Sequence, residues 1–199
     1  TKYTYCHISP PLKLVAQNQR ADLMAANNVL AHVPDINDFV KGFSVLLNPQ
    51  GVATFEFPHL VNLVEKNQFD TVYHEHYSYL SLTSVKAIFE SNNLSIFDVE
   101  ELPIHGGSLR VYAQCSDSGE QPVGSNVGDL LVREEEIGLK TVDYYAGFQE
   151  KAEEIKLSLL EFLIAAKREG KQVVGYGAAA KGNTMINYAG VGPDLISYV

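Results

Sequence analysis

The sequence predicts an α/β fold built on a parallel sheet, and three observations lead there. An apolar run at 21–28 is followed by a helical pattern at 36–47, a proline–glycine turn and a strand pattern at 52–57. Strand, helix and strand with short connections form a βαβ unit, whose strands run parallel. Near the other end, Gln172-Val173-Val174-Gly175-Tyr176-Gly177 reads as a strand entering a glycine turn, with a helical pattern from Ala178 to Tyr188.

Taken in order, residues 1–20 carry no convincing core pattern. Residues 21–28 read as a short buried strand ending in polar residues. Asp35 can cap the next helix, whose positions 36, 39, 40, 43, 46 and 47 share one apolar face. Asn48-Pro49-Gln50-Gly51 is a turn, because proline presets φ and glycine supplies φ > 0. A short helix is expected over 59–67, and one capped by Thr83 or Ser84 running to about Asn92. Two strands follow at 95–101 and 108–114, then an exposed linker at 116–126 rich in Ser, Gly, Asp and Pro. A long helical region spans about 127–169, with a break near Gly138 and a natural stop at Gly170.

Composition narrows the function. The chain has 199 residues, 46% hydrophobic and 20% charged, so it can bury a core. Its 15 basic residues face 24 acidic ones, a net charge of −9, which argues against a broad nucleic-acid surface. No apolar run is long enough to cross a membrane, and Thr1-Lys2-Tyr3-Thr4-Tyr5 does not open a secretory signal. Cys6 and Cys115 form no CxxC pair, so a reducing cytoplasm is the default.

The richest chemistry lies in Tyr73-His74-Glu75-His76-Tyr77-Ser78-Tyr79. Such a cluster suits removal of a proton beside a carbonyl, which needs a neutral imidazole and a carboxylate to orient it. If extended, it puts His74 and His76 on one face and Glu75 on the other. The cluster could also be a packed polar loop, or two ligands of a zinc site lacking a nearby third. Gly175-Tyr176-Gly177-Ala178-Ala179-Ala180-Lys181-Gly182-Asn183-Thr184 brings free N–H groups, a helix start and a lysine together, as an anionic ligand requires. It could equally be a tight strand-to-helix turn. Asn27-Asn28-Val29-Leu30-Ala31-His32-Val33-Pro34-Asp35 follows a parallel strand, where open α/β sheets bind ligands. His105-Gly106-Gly107 with Arg110 is a weaker candidate: its glycines could be a turn and Arg110 a solvated strand residue.

These segments, with Phe55-Glu56-Phe57-Pro58 and Phe69-Asp70-Thr71-Val72, occur in an order that resembles the S-adenosylmethionine-dependent sugar C-methyltransferases. The resemblance covers nearly the whole chain. It implies part of a Rossmann-like methyltransferase sheet over 1–92, then an incomplete Rossmann-like substrate-binding domain over 93–199. It implies methylation at C3 of a nucleotide-linked (dTDP-type) 4-keto deoxysugar, with S-adenosylmethionine as cofactor. Family members also carry an amino-terminal zinc-binding domain and a glycine-rich cofactor loop. Neither is in this sequence, so the reading is of a fragment, with zinc expected only in that other domain.

By the same resemblance His76 is the general base, Glu75 and Tyr73 position it or the sugar, and His32 lies on the methyl-transfer side. Asn28 and Ala26 are expected near the cofactor. Lys181, Asn183, Gly177, Tyr79 and Arg110 are expected to hold the nucleotide sugar. Two other readings compete. One is a dinucleotide-dependent oxidoreductase using the 175–182 turn, although Ala180 replaces the last glycine of the usual motif. The other is a non-catalytic nucleotide-sugar-binding module.

Overall fold

The computed structural model describes residues 9–177 and 179–199. Cys6, the first five residues and Ala178 at the expected start of the last helix lie outside them. The described chain divides into two compact units. The first takes the chain up to Asn62 and then Glu75–Lys140; the second takes Leu63–His74 and Thr141–Val199.

The first unit opens with α1 (Ser9–Ala16), where the sequence showed no core pattern. It packs on α2 (Ile36–Leu46), and Gly42 makes room: a Cβ there would stand 3.3 Å from the Pro11 ring. Between them runs β1 (Ala21–Asn27), parallel to β2 (Leu47–Pro58) as the βαβ pattern requires. β1 is not buried as expected. It takes an outer place in the sheet order β1-β2-β4-β3, so only Ala26 is buried and Leu23 is 68% exposed. The predicted turn at 48–51 is likewise absorbed into β2 as an irregularity. Pairing passes from Ala21↔Leu47 to Leu23↔Val52, so four residues bulge from the register without reversing the chain.

Asp35 caps α2 as predicted, accepting from the Asp38 amide at 2.9 Å. At the far end, Arg20 Nη1 donates to the carbonyls of Val45 and Leu47, both at 2.9 Å. α3 (Leu60–Glu65) falls in the expected short helix. The cap of α4 (Leu82–Ser91) is Ser81, not Thr83 or Ser84. Ser81 accepts from the Ser84 amide, and the Ser84 hydroxyl accepts from the Ser81 amide. The local rule allowed several serines and threonines, and this reciprocal pair chose the register. β3 (Leu94–Leu102) and β4 (Ser108–Cys115) then complete the sheet. β4 lies antiparallel between β2 and β3, one reversed strand among three that run together. Residues 92 and 93 join α4 to β3 within this unit.

The core lies between the sheet and α2, α4 and α5 (Ser125–Glu136). Phe39, Phe43, Phe55 and Phe89 stack in a tilted chain with centroid spacings of 5.2, 4.5 and 4.7 Å. Such ring pairs add about 0.5–1.5 kcal/mol each beyond the area they bury. The long predicted helix breaks where expected. α5 ends before Gly138 (φ 74°), and α6 (Phe148–Arg168) ends at Gly170 (φ 74°).

In the second unit α6 packs on α7 (Ala180–Ala189) through Tyr188. The Tyr188 ring stacks on Phe69 at 5.0 Å, and its hydroxyl donates to Glu153 at 3.1 Å. Burial, and next the Glu153 hydrogen bond, raise the Tyr188 pKa above its ordinary value. The strand expected at 172–177 does not form. Val173 O and Gly175 N make single main-chain bonds to Ser197 and Tyr198, at 3.1 and 2.9 Å, too few for a ladder. No described helix is long and apolar enough to cross a membrane.

Candidate active site

The site gathers in the first unit beyond the carboxyl ends of β1 and β2. Asn28 follows β1 in the left-handed region (φ 54°), a conformation asparagine tolerates better than most residues. Its amide N–H donates to Glu56 O at 2.7 Å, and its side-chain nitrogen lies 3.4 Å from the Glu56 carboxylate. Ala26 is packed in the core, so what it can offer a ligand is its main chain.

A short 3-10 turn, Leu30–His32, carries His32 toward the Tyr73–Tyr79 segment. His32 Nδ1 lies 3.0 Å from the main-chain carbonyl of Glu75. A carbonyl only accepts, so Nδ1 carries the hydrogen, and the neutral ring presents Nε2 as a lone pair. The His32 and His76 rings stand edge-on at 4.7 Å, and His76 and Tyr79 at 6.1 Å. The amides of Tyr77 and Ser78 donate to Ala31 O at 2.8 and 3.3 Å. Sequence reasoning named His32, His76 and Tyr79, and the structure brings them together.

Glu75 meets His32 through its main-chain carbonyl, while its side chain is exposed. Residues 73–75 form a bend and turn, so the alternation that would pair His74 with His76 does not apply. Tyr73 and His74 belong to the second unit, with their rings 6.4 Å apart.

Arg110 is an ion-paired group rather than a free cation. Its Nη2 donates to the buried Glu56 carboxylate at 2.8 Å, and Nη1 lies 3.6 Å from Glu100. The hydrogen bond to Glu56, then one to Tyr112, raise its pKa above the ordinary value.

Two buried residues were missed. His59 and Glu134 are 2% and 1% exposed, and His59 Nε2 donates to Glu134 at 2.8 Å. Glu134 also accepts from the amides of Leu82 at 2.8 Å and Thr83 at 2.7 Å. Burial works against its charge. The hydrogen bonds from His59, Thr83 and Leu82 outweigh it and hold the carboxyl below its usual value. In sequence Glu134 is one of three consecutive glutamates within the predicted helical region, and nothing local marks it as buried. The His105-Gly106-Gly107 segment serves the same region. Gly107 has φ 120°, and its carbonyl accepts from the His59 amide at 3.0 Å.

In the second unit, Gly177 (φ 130°), Ala180, Gly182 and Asn183 line an open cavity of about 510 Å³ at the start of α7. Lys181 stands in the first turn of that helix. Among the described residues no group of three or more His, Cys, Asp or Glu could hold a metal.

A mixed sheet with this cluster beyond its parallel strand ends makes the first unit an α/β fold with a proton-transfer-competent site, and the comparisons supply the class. Residues 5–99 match the model of a methyltransferase domain, and residues 103–199 match that of a C-methyltransferase C-terminal domain. Together the two models account for nearly the whole chain, which is thus similar throughout to C-methyltransferases. It is 34% identical over 186 residues to the C-methyltransferase NovU of Streptomyces niveus, covering 94% of this chain and 44% of that one. The chain thus spans less than half of that relative. Among solved structures it is similar to a 1,6-didemethyltoxoflavin-N1-methyltransferase of Burkholderia thailandensis. Identity is 16%, coverage 50% of this chain and 45% of that one, and the TM-score 0.39. A methyltransferase of Listeria monocytogenes gives 14%, 49% and 62%, and 0.38. Likenesses this loose carry no argument.

Proposed function

We propose that this chain contributes to S-adenosylmethionine-dependent methylation at C3 of a nucleotide-linked, dTDP-type 4-keto deoxysugar. The observation that carries the reading is the His32–Glu75–His76 arrangement. Two imidazoles stand edge-on, one of them held through Nδ1 by a main-chain carbonyl. That chemistry removes a proton from carbon beside a ketone.

In this mechanism His76 takes the C3 proton. His32, with Nδ1–H fixed on the Glu75 carbonyl, presents Nε2 beside it to share or relay that proton. Tyr79 orients the sugar next to the His76 ring, and Tyr73 and the Glu75 side chain act as further positioning groups. General-base action of this kind is worth roughly 10²–10⁴-fold. The cofactor would be held in part by Asn28, whose nitrogen faces Glu56 and whose amide oxygen is left to accept from a ligand, and by the main chain at Ala26. When bound, it supplies the electrophilic methyl group. In the second unit Gly177, Asn183 and Lys181 would hold the diphosphate or nucleotide, where a helix start and a lysine favour negative charge. The Arg110 contact to the substrate would come through a guanidinium already braced by Glu56.

Two measurements test this. Calorimetric titration with dTDP and with S-adenosylhomocysteine reads the two ligands separately. Deuterium exchange at C3 of a dTDP-4-keto deoxysugar in D₂O, without cofactor, reads proton removal alone. The expected result is dTDP binding and C3 exchange that His76→Asn abolishes. Binding of dTDP with no exchange, and no methyl transfer once the flanking sequence is supplied, would make the chain a binding module.

A further inference from the structure

The His76 segment leaves the site toward α4 through Tyr79, Leu80 and Ser81, and this exit is tied down from two sides. His59 forms an isolated parallel bridge with Leu80, and the Leu60 amide donates to Leu80 O at 2.8 Å. Beyond it, the Glu134 carboxylate takes the first two amides of α4, those of Leu82 and Thr83. The same carboxylate accepts from the His59 ring, closing a loop between the exit of β2, the start of α4 and α5.

This arrangement exceeds what capping the helix needs. Ser81 and Ser84 already form a reciprocal cap on α4. Glu134 is brought in from 51 and 52 residues away to a buried position, where a charge is unfavourable without partners. It finds three of them, and His59 links it to the residue beside Tyr79. The main chain of His59 is fixed in turn by Gly107 O. Among the described residues the buried Nδ1 of His59 has no hydrogen-bond partner, and Nε2 is the nitrogen that ties the ring to Glu134.

We propose that Glu134 and His59 form a positioning pair for the proton-transfer segment. Together they fix Leu80–Thr83, and thereby the place of Tyr79 and of His76 against His32. The proposal rests on reading residues 73–79 as that segment. A displacement of about 1 Å at such a site can cost 10²-fold in rate.

The test uses Glu134→Gln, which keeps the size of the side chain and removes its charge, and His59→Phe, which fills the same space and removes the donor toward Glu134. Each variant of the chain is studied below its own unfolding midpoint, so either suffices if the other folds poorly. The readout is the ¹H–¹⁵N spectrum of the histidine rings. The expected result is that the His32 signals lose their Nδ1–H pattern and that those of His76 shift, in both variants. In the active protein, kcat is expected to fall about 10–100-fold with KM within about twofold. Unchanged His32 and His76 signals with only a lower unfolding midpoint would overturn the proposal and leave the pair a stabilising tie. Failure of the underlying reading shows separately: His76→Asn would then keep wild-type C3 exchange, whatever the ring spectra of the other variants.

Discussion

His32 donates from Nδ1 to the main-chain carbonyl of Glu75 at 3.0 Å, across 43 residues of sequence. The bond fixes the tautomer of one imidazole with a group that cannot titrate. A carboxylate in that place would favour the charged ring; a carbonyl orients the ring and leaves Nε2 able to accept a proton. Whenever its ring is neutral, His32 is therefore expected to be the Nδ1–H tautomer in ¹⁵N spectra. A dominant Nε2–H form would remove it from the relay.

His76 is expected to carry the general-base step. His76→Asn should lower turnover by about 10²–10⁴-fold while dTDP binding is unchanged. Turnover near wild type would assign the base elsewhere, with His32 the next residue to test.

Glu134 makes stability depend on pH in a defined direction. Its folded-state pKa is depressed, so its ionised form favours folding above the unfolded carboxylate pKa of about 4.3. That contribution is lost as pH falls through the lower folded value. Denaturation at pH 7 and below pH 4 should show a loss in the wild type that is smaller in Glu134→Gln. Equal losses in both would mean that other carboxylates carry the acid sensitivity.

Gly107→Ala should destabilise the first unit. The residue has φ 120°, and a Cβ would stand 2.4 Å from the Asn62 side chain. An unfavourable backbone region costs about 1–3 kcal/mol, and urea denaturation measures it. The same substitution at Gly128, on α5 with nothing within 4 Å of the added carbon, should be neutral or stabilising by up to about 1 kcal/mol.

Lys181→Ala should weaken dTDP binding about three- to tenfold, with a smaller effect in high salt, because a first-turn lysine acts on a bound phosphate through screened charge. Isothermal titration at two salt concentrations checks it. Salt-independent binding would point to the sugar and base as the main contacts.

Much of this protein is written locally. The βαβ unit, the Asp35 cap, the break at Gly138 and the stop at Gly170 follow from periodicity, capping and turn chemistry, which act over a few residues. The grouping of His32 with His76 was legible because the motifs stand in a familiar order. What neighbours decide was not legible. Whether residues 21–27 are buried depends on which strands flank them, and whether 172–177 forms a ladder depends on a partner. Glu75 acts through its carbonyl because a bend at 73–75 turns that group toward His32. Glu134 looks like any solvated glutamate until the fold closes β2, α4 and α5 around it. A buried charge persists only where partners distant in sequence converge, and that convergence belongs to the tertiary structure alone.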